Sequence, residues 1–179
     1  MGDLTRRQPR GKGVARRNVR AQASGPRTEY LAFSLAGETY AAPVSLIREI
    51  VKPPPLTPVP RAPDATMGIV SVRGQLVTVV DLRRRMRLLE GGPTRRTRIL
   101  LVEAVGGETI GLYVDEVQQV YRLADAEIEH AATALGGDVA GYIAGIARPV
   151  LGSAVGSEST EGQPPLIILL DLHAILLGS

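Results

Sequence analysis

Few residues in this chain have the chemistry of an active site. The carboxylates that stand out are Glu49, Asp81, Asp115 and Asp171. Two carboxylates held across a substrate can work as general acid and base, but nothing in the spacing pairs these four. The two histidines, His130 and His173, are not at metal-ligand spacing and read as surface or helix-end residues. The chain has no cysteine, so it has no disulfide framework, thiolate metal site or thiol nucleophile. No glycine-rich loop follows a strand and opens a helix as a phosphate cradle would. No serine occupies a nucleophile elbow, and metal binding by carboxylates alone would need a denser cluster. The expectation is a protein that is not an enzyme and carries no cofactor.

Glu49 and Arg73 call for a different chemistry. Each is a charge set among apolar residues in the most ordered-looking part of the chain. Two readings stand side by side. Each charge has a structural partner, the other included. Alternatively, each makes a polar contact inside a mainly apolar docking groove, where a charge sets register and specificity. Three further acids close apolar runs, in VVDL at 79–82, YVDEV at 113–117 and LLDL at 169–172. They read as strand-end acids that meet solvent.

The elements that must position these residues centre on 67–87, MGIVSVRGQLVTVVDLRRRMR. Two β-branched runs, 69–72 and 76–82, flank Arg73-Gly74-Gln75. Val, Ile and Thr favour extended chain, and Gly74 can supply the positive φ of a tight hairpin. Arg73 is therefore expected at or beside the turn. The second run is nearly all apolar, so both its faces should be covered, in a closed barrel or under other elements.

Before this hairpin, 29–35 and 39–44 read as another hairpin turning near Gly37. Ser45 is expected to cap a short helix over 46–51 that carries Glu49. Pro53, Pro54 and Pro55 stop it and force extended chain. After the hairpin, 83–89 allows a helical turn or two. Strands follow at 97–105, 109–114 and 115–123. Residues 124–129 look weakly helical and 131–141 look like a flexible loop. Residues 142–149 make a short strand, 152–165 a surface loop, 166–172 a buried strand and 173–177 a terminal helix. The total of about nine or ten short strands, with turns about every 8–12 residues, indicates an all-β barrel or sandwich.

Charge divides the chain. Residues 1–28 hold eight basic residues and one acid, whereas the rest holds 13 basic and 17 acidic residues. The first 28 residues read as a disordered basic arm, and 29–179 as the folded domain. No aromatic residue interleaves the arginines of the arm, so base stacking is not expected. No apolar run reaches the roughly 18 residues of a membrane span, and no apolar region follows the basic start as in a secretory signal. Aromatics are 3% of the chain, so the core must be mostly Val, Leu, Ile and Ala.

The stretch GIVSVRGQLVTVVDLR at 68–83 resembles the signature of CheW-type domains, the coupling adaptors of bacterial chemosensory arrays. The resemblance extends from about Tyr30 to Leu177. It takes in YLAFSLAGETYAAPVSLIREIV, TRILLVEAVGGETIGLYVDEVQQV, YIAGIA and LIILLDLHAIL. It implies two small five-stranded SH3-like β-barrels, with a few short helices, around a shared apolar seam. It also implies a cytoplasmic adaptor at receptor arrays on the inner face of the membrane. Such an adaptor ties methyl-accepting chemoreceptors to the regulatory domain of a CheA-type histidine kinase and has scope for self-association. Carried over by motif, the receptor-binding groove would comprise Val44, Ile47, Glu49, Gly68, Arg73 and Val114. Three features depart from the family pattern: the basic arm, the long 152–165 loop and the proline run. They leave open chemotaxis proper or another chemosensory pathway. The rival reading is a basic-tailed nucleic-acid- or membrane-associated protein with the barrels as carrier.

Overall fold

The computed structural model describes residues 25–104, 106–130, 140–149, 153–156 and 166–177. Two curled β-sheets share one seam. The first sheet has six strands in the order β8-β1-β2-β11-β10-β9. They are β1 (Arg27–Leu35), β2 (Glu38–Pro43), β8 (Glu116–Ala124), β9 (Ile128–His130), β10 (Ile143–Ala147) and β11 (Ile167–Leu170). The second has five in the order β3-β6-β7-β5-β4. They are β3 (Ile47–Val51), β4 (Thr66–Val72), β5 (Gln75–Asp81), β6 (Arg98–Glu103) and β7 (Thr109–Val114). Two short helices, α1 (Leu82–Arg85) and α2 (Leu172–Leu177), and three 3-10 turns complete the described elements.

The chain itself closes each sheet. The edges of the first sheet, β8 and β9, are joined by the 3-10 turn Asp125–Glu127. The edges of the second, β3 and β4, are joined through residues 52–65. Within that link Thr57 bridges to Ile69 of β4 by two backbone hydrogen bonds of 2.9 Å. Edges tied this closely force a sheet to curl, which hides the unpaired backbone that an open edge presents. The expected two-subdomain, all-β architecture is thus present, with a short sixth strand added to the first sheet.

Side-chain alternation then produces three cores. Successive strand residues face opposite sides. In β6, Ile99 and Leu101 enter the core of the second sheet with Val70, Val77, Val79 and Tyr113. Leu100 and Val102 point the other way, into the seam with Phe33, Leu35, Leu112, Val114 and Leu170. In β1, Ala32 faces the first sheet's own core with Tyr121, Leu123, Ile167 and Leu169, whereas Leu31 and Phe33 face the seam. Phe33, Leu35, Leu100 and Leu112 are all fully buried. A side chain of this kind contributes about 1.5–3 kcal/mol relative to exposure, so the seam is a true core.

Both expected hairpins form on two-residue turns. Ala36 and Gly37 have φ of 52 and 90, and Arg73 and Gly74 have φ of 50 and 81. Two positive φ values in sequence match the right-handed twist of the flanking strands. Arg73 therefore occupies the turn, and the adjacent Leu76 is 77% exposed where cover on both faces was expected.

Several expectations are corrected. Residues 46–51 are not a helix. A 3-10 turn spans Val44–Leu46 and strand β3 follows, paired with β6. Pairing with β6 decides the matter, and the β-branched Ile47, Ile50 and Val51 suit a pleated edge. Glu49 thus lies on a strand, opposite Leu101. Residues 124–129 form a 3-10 turn and the start of β9, which brings the described strands to eleven. β1 starts at Arg27, inside the segment read as a disordered arm, with Arg27 and Thr28 paired to Ala124 and Leu123. Most of that arm, most of the 131–141 loop and much of the 152–165 loop lie outside the described residues.

The strand-end acids do more than meet solvent. Asp81 is buried and its side chain accepts from the backbone N–H groups of Arg83 and Arg84, capping α1. Asp171 is exposed and accepts from the Ala174 N–H in α2. Asp115 takes the Arg83 guanidinium.

Candidate docking groove

The 3-10 turn Val44–Leu46 carries the chain from the first sheet into the second. It leaves an apolar hollow between them. Leu31 of β1 and Val120 of β8 line one side; Val44, Ile47 and Ile50 line the other, with Arg48 and Glu49. Ile50 is 42% exposed, and Val44, Ile47 and Val120 rest on the buried seam beneath. The hollow is therefore an open apolar surface floored by the buried seam.

Glu49 is the ridge between this hollow and a second, more polar one. The second is lined by Arg48, Glu49, Val72, Arg73, Gln75, Val77, Leu101 and Thr109. Across it Arg73 donates through NH2 to Glu49 Oε1 at 2.7 Å. The hydrogen bond, and then the charge, of Glu49 raise the Arg73 pKa above its ordinary value. Arg73 is 79% exposed and Glu49 33%. An ion pair so open to water adds little to stability, but it presents two oriented charges at the lip of an apolar groove. Such an arrangement suits recognition of a helical or extended protein segment, with anchors in the groove and register set by charge.

Of the residues expected from sequence, Val44, Ile47 and Glu49 meet in the groove, and Arg73 joins them through Glu49. The structural reading and the groove reading of the pair thus coincide in one place: the two charges are each other's partner, with Arg73 exposed and Glu49 half-buried. Two other residues lie elsewhere. Val114 is fully buried in the seam, so it supports the groove floor and cannot line its wall. Gly68 is also buried, with φ of 148, and a Cβ there would stand 2.4 Å from the Thr57 carbonyl oxygen. Its smallness serves the Thr57–Ile69 bridge rather than a surface. Leu31, Ile50 and Val120 were not anticipated. Ile50, apolar on a polar-flanked edge strand, carried a faint signal; Leu31 and Val120 come together only through folding.

The basic stretch after β5 is largely committed inside the molecule. Arg83 pairs with Asp115, Arg84 with Asp81 and Glu90, and Arg96 with Glu116, while Arg85 donates to the Ile175 carbonyl. Among the described residues no group of three potential metal ligands occurs.

The class defined so far is a two-barrel β protein with an apolar, charge-lipped groove between its halves. A family model for the CheW-like domain matches residues 29–178, and the chain belongs to that family. It is 34% identical over 127 residues to Protein FrzA of Myxococcus xanthus, covering 69% of this chain and 75% of that one. It is 30% identical over 101 residues to the chemotaxis protein CheW of Rhizobium meliloti, covering 56% of this chain and 64% of that protein. That match spans a little under two thirds of the relative's length. Among solved structures, the scaffolding protein TtCheW from Thermoanaerobacter tengcongensis resembles it with a TM-score of 0.69 at 28% identity, covering 83% of this chain and 92% of that one.

Proposed function

We propose that this chain is a non-enzymatic coupling adaptor of a chemosensory array. It ties the signalling tips of methyl-accepting chemoreceptors to the regulatory domain of a CheA-type histidine kinase. Membership of the CheW-like family supports the adaptor role. The observation that carries the site is the groove of Val44, Ile47, Ile50, Leu31 and Val120 with the Glu49–Arg73 pair at its lip. On this reading the apolar residues anchor a receptor helix and the two charges fix its register. Affinity from so small a surface is modest, and repetition across an array strengthens it. The adaptor works in the cytoplasm beneath the receptors; among the described residues no helix is long and apolar enough to cross a membrane.

Calorimetric titration of the full chain tests this, first with a receptor signalling-tip fragment and then with the regulatory domain of the CheA kinase from the same organism. Saturable binding of both that persists as salt is raised is expected, because the groove is apolar and screening acts on exposed charges. Binding of neither partner would refute the adaptor reading. Binding that collapses with salt and is lost when residues 1–24 are removed would move the function to the basic arm.

A further inference from the structure

The chain leaves the second sheet for the first through one residue, Asp115, which stands between the end of β7 at Val114 and the start of β8 at Glu116. A single-residue joint turns on only two soft dihedrals, yet this one is held from both sides. The Asp115 N–H donates to the Ser34 carbonyl at 3.2 Å. Its Oδ2 accepts from the Ala36 N–H at 2.8 Å. Ser34 and Ala36 belong to the β1–β2 hairpin of the first sheet. From the second sheet's side, Arg83 in α1 donates to the same carboxylate twice, Nε to Oδ1 at 2.7 Å and NH2 to Oδ2 at 2.5 Å.

The third arm of Arg83 is occupied as well. Its NH1 donates to the Leu89 carbonyl at 2.9 Å. Gly91 closes over it so tightly that a Cβ there would stand 2.1 Å from NH1. The side chains of Arg83 and Asp115 are only 17% and 22% exposed. A two-pronged guanidinium–carboxylate pair with this little solvent is stronger and more directional than a surface ion pair. A second tie runs in parallel: Arg85 donates through Nε and NH2 to the Ile175 carbonyl in α2, with its guanidinium 5.5 Å from the centre of the Tyr142 ring.

We infer that Arg83 and Asp115 are positioning residues. Their pair latches the two sheets at one angle and thereby sets the spacing of the groove that neither residue touches. The link is topological. Val120 lies on the strand that leaves Asp115, and Leu31 lies on the strand paired with it. Ile47 and Ile50 lie on β3 of the other sheet. Rotation at Asp115 therefore moves one wall against the other, and a site loses affinity when its supporting contacts loosen. The inference rests on the groove being the receptor site, and it assigns that site a second set of residues.

The test uses the full chain, whose lack of cysteine allows clean labelling. Spin labels on cysteines introduced at two exposed positions, Glu38 at the start of β2 in the first sheet and Glu108 just before β7 in the second, report the distance between sheets. Asp115→Asn should broaden that distance distribution and weaken receptor-fragment binding by about tenfold, within the range for residues remote from a ligand. Arg83→Lys keeps the charge but not the fork and should do the same in smaller measure; it also decides the matter if the Asp115 variant fails to fold. An unchanged distribution in both variants overturns the latch, whether or not affinity falls. A wild-type chain that binds no receptor fragment would refute the adaptor reading, while the label distances would still test the latch.

Discussion

Replacing Gly68 by alanine separates a supporting role for this glycine from a role in contact. The glycine has φ of 148, and the added Cβ would meet the Thr57 carbonyl oxygen at 2.4 Å and the Thr57 carbonyl carbon at 2.9 Å. Both are backbone atoms, so no side chain can swing aside. Forcing an L-residue into a sparsely populated backbone region costs about 1–3 kcal/mol. The displaced Thr57 also makes both hydrogen bonds of the bridge to Ile69, each with a net value of about 1 kcal/mol. The expected loss is about 3–5 kcal/mol. For a chain of this size each kcal/mol lowers the melting midpoint by about 2–4 °C, so the fall should be about 6–20 °C. Thermal denaturation followed by circular dichroism measures it. Below its midpoint the variant should bind the receptor fragment as wild type does, because Gly68 is buried. A variant that melts with wild type but no longer binds would refute this reasoning and return Gly68 to the groove surface.

Two further outcomes follow from the geometry. Arg73→Glu and Glu49→Arg each place like charges across the 2.7 Å contact, and each should weaken receptor-fragment binding by about tenfold. The double exchange should recover part of the loss, and the exposure of Arg73 should leave thermal midpoints near wild type; a large drop in midpoint would make the pair structural. Burial raises the pKa of Tyr30, Tyr40 and Tyr113 above the ordinary 10.0, aided by Asp125 at Tyr30 and Glu38 at Tyr40. The folded state therefore resists phenolate formation, so this contribution to stability is intact below about pH 10 and is lost as pH rises beyond it. Urea midpoints across alkaline pH should fall together with the appearance of phenolate absorbance; phenolate forming at its ordinary pH with no loss of stability would contradict the burial argument.

The sequence by itself determined most of the strands. Arg73-Gly74 between β-branched runs specifies a two-residue hairpin, because only that turn reconciles a flexible glycine with the twist of its neighbours. Residues 97–105 read as a strand from their letters alone, and the absence of cysteine excludes whole classes of chemistry. The GIVSVRGQLVTVVDLR signature carried the family. What local letters could not decide is what depends on partners distant in the chain. Residues 47–51 became a strand because β6 offers them an edge, and a six-residue window cannot see β6. Only the fold puts Leu31 and Val120 across from Ile47, buries Val114, seats Gly68 on Thr57, and spends Arg83 and Arg85 on ties between the sheets. Propensity and period act over a few residues, whereas a groove wall, a buried glycine contact and an ion pair are set by which strands lie side by side. That is why the elements were legible in one dimension and the site only in three.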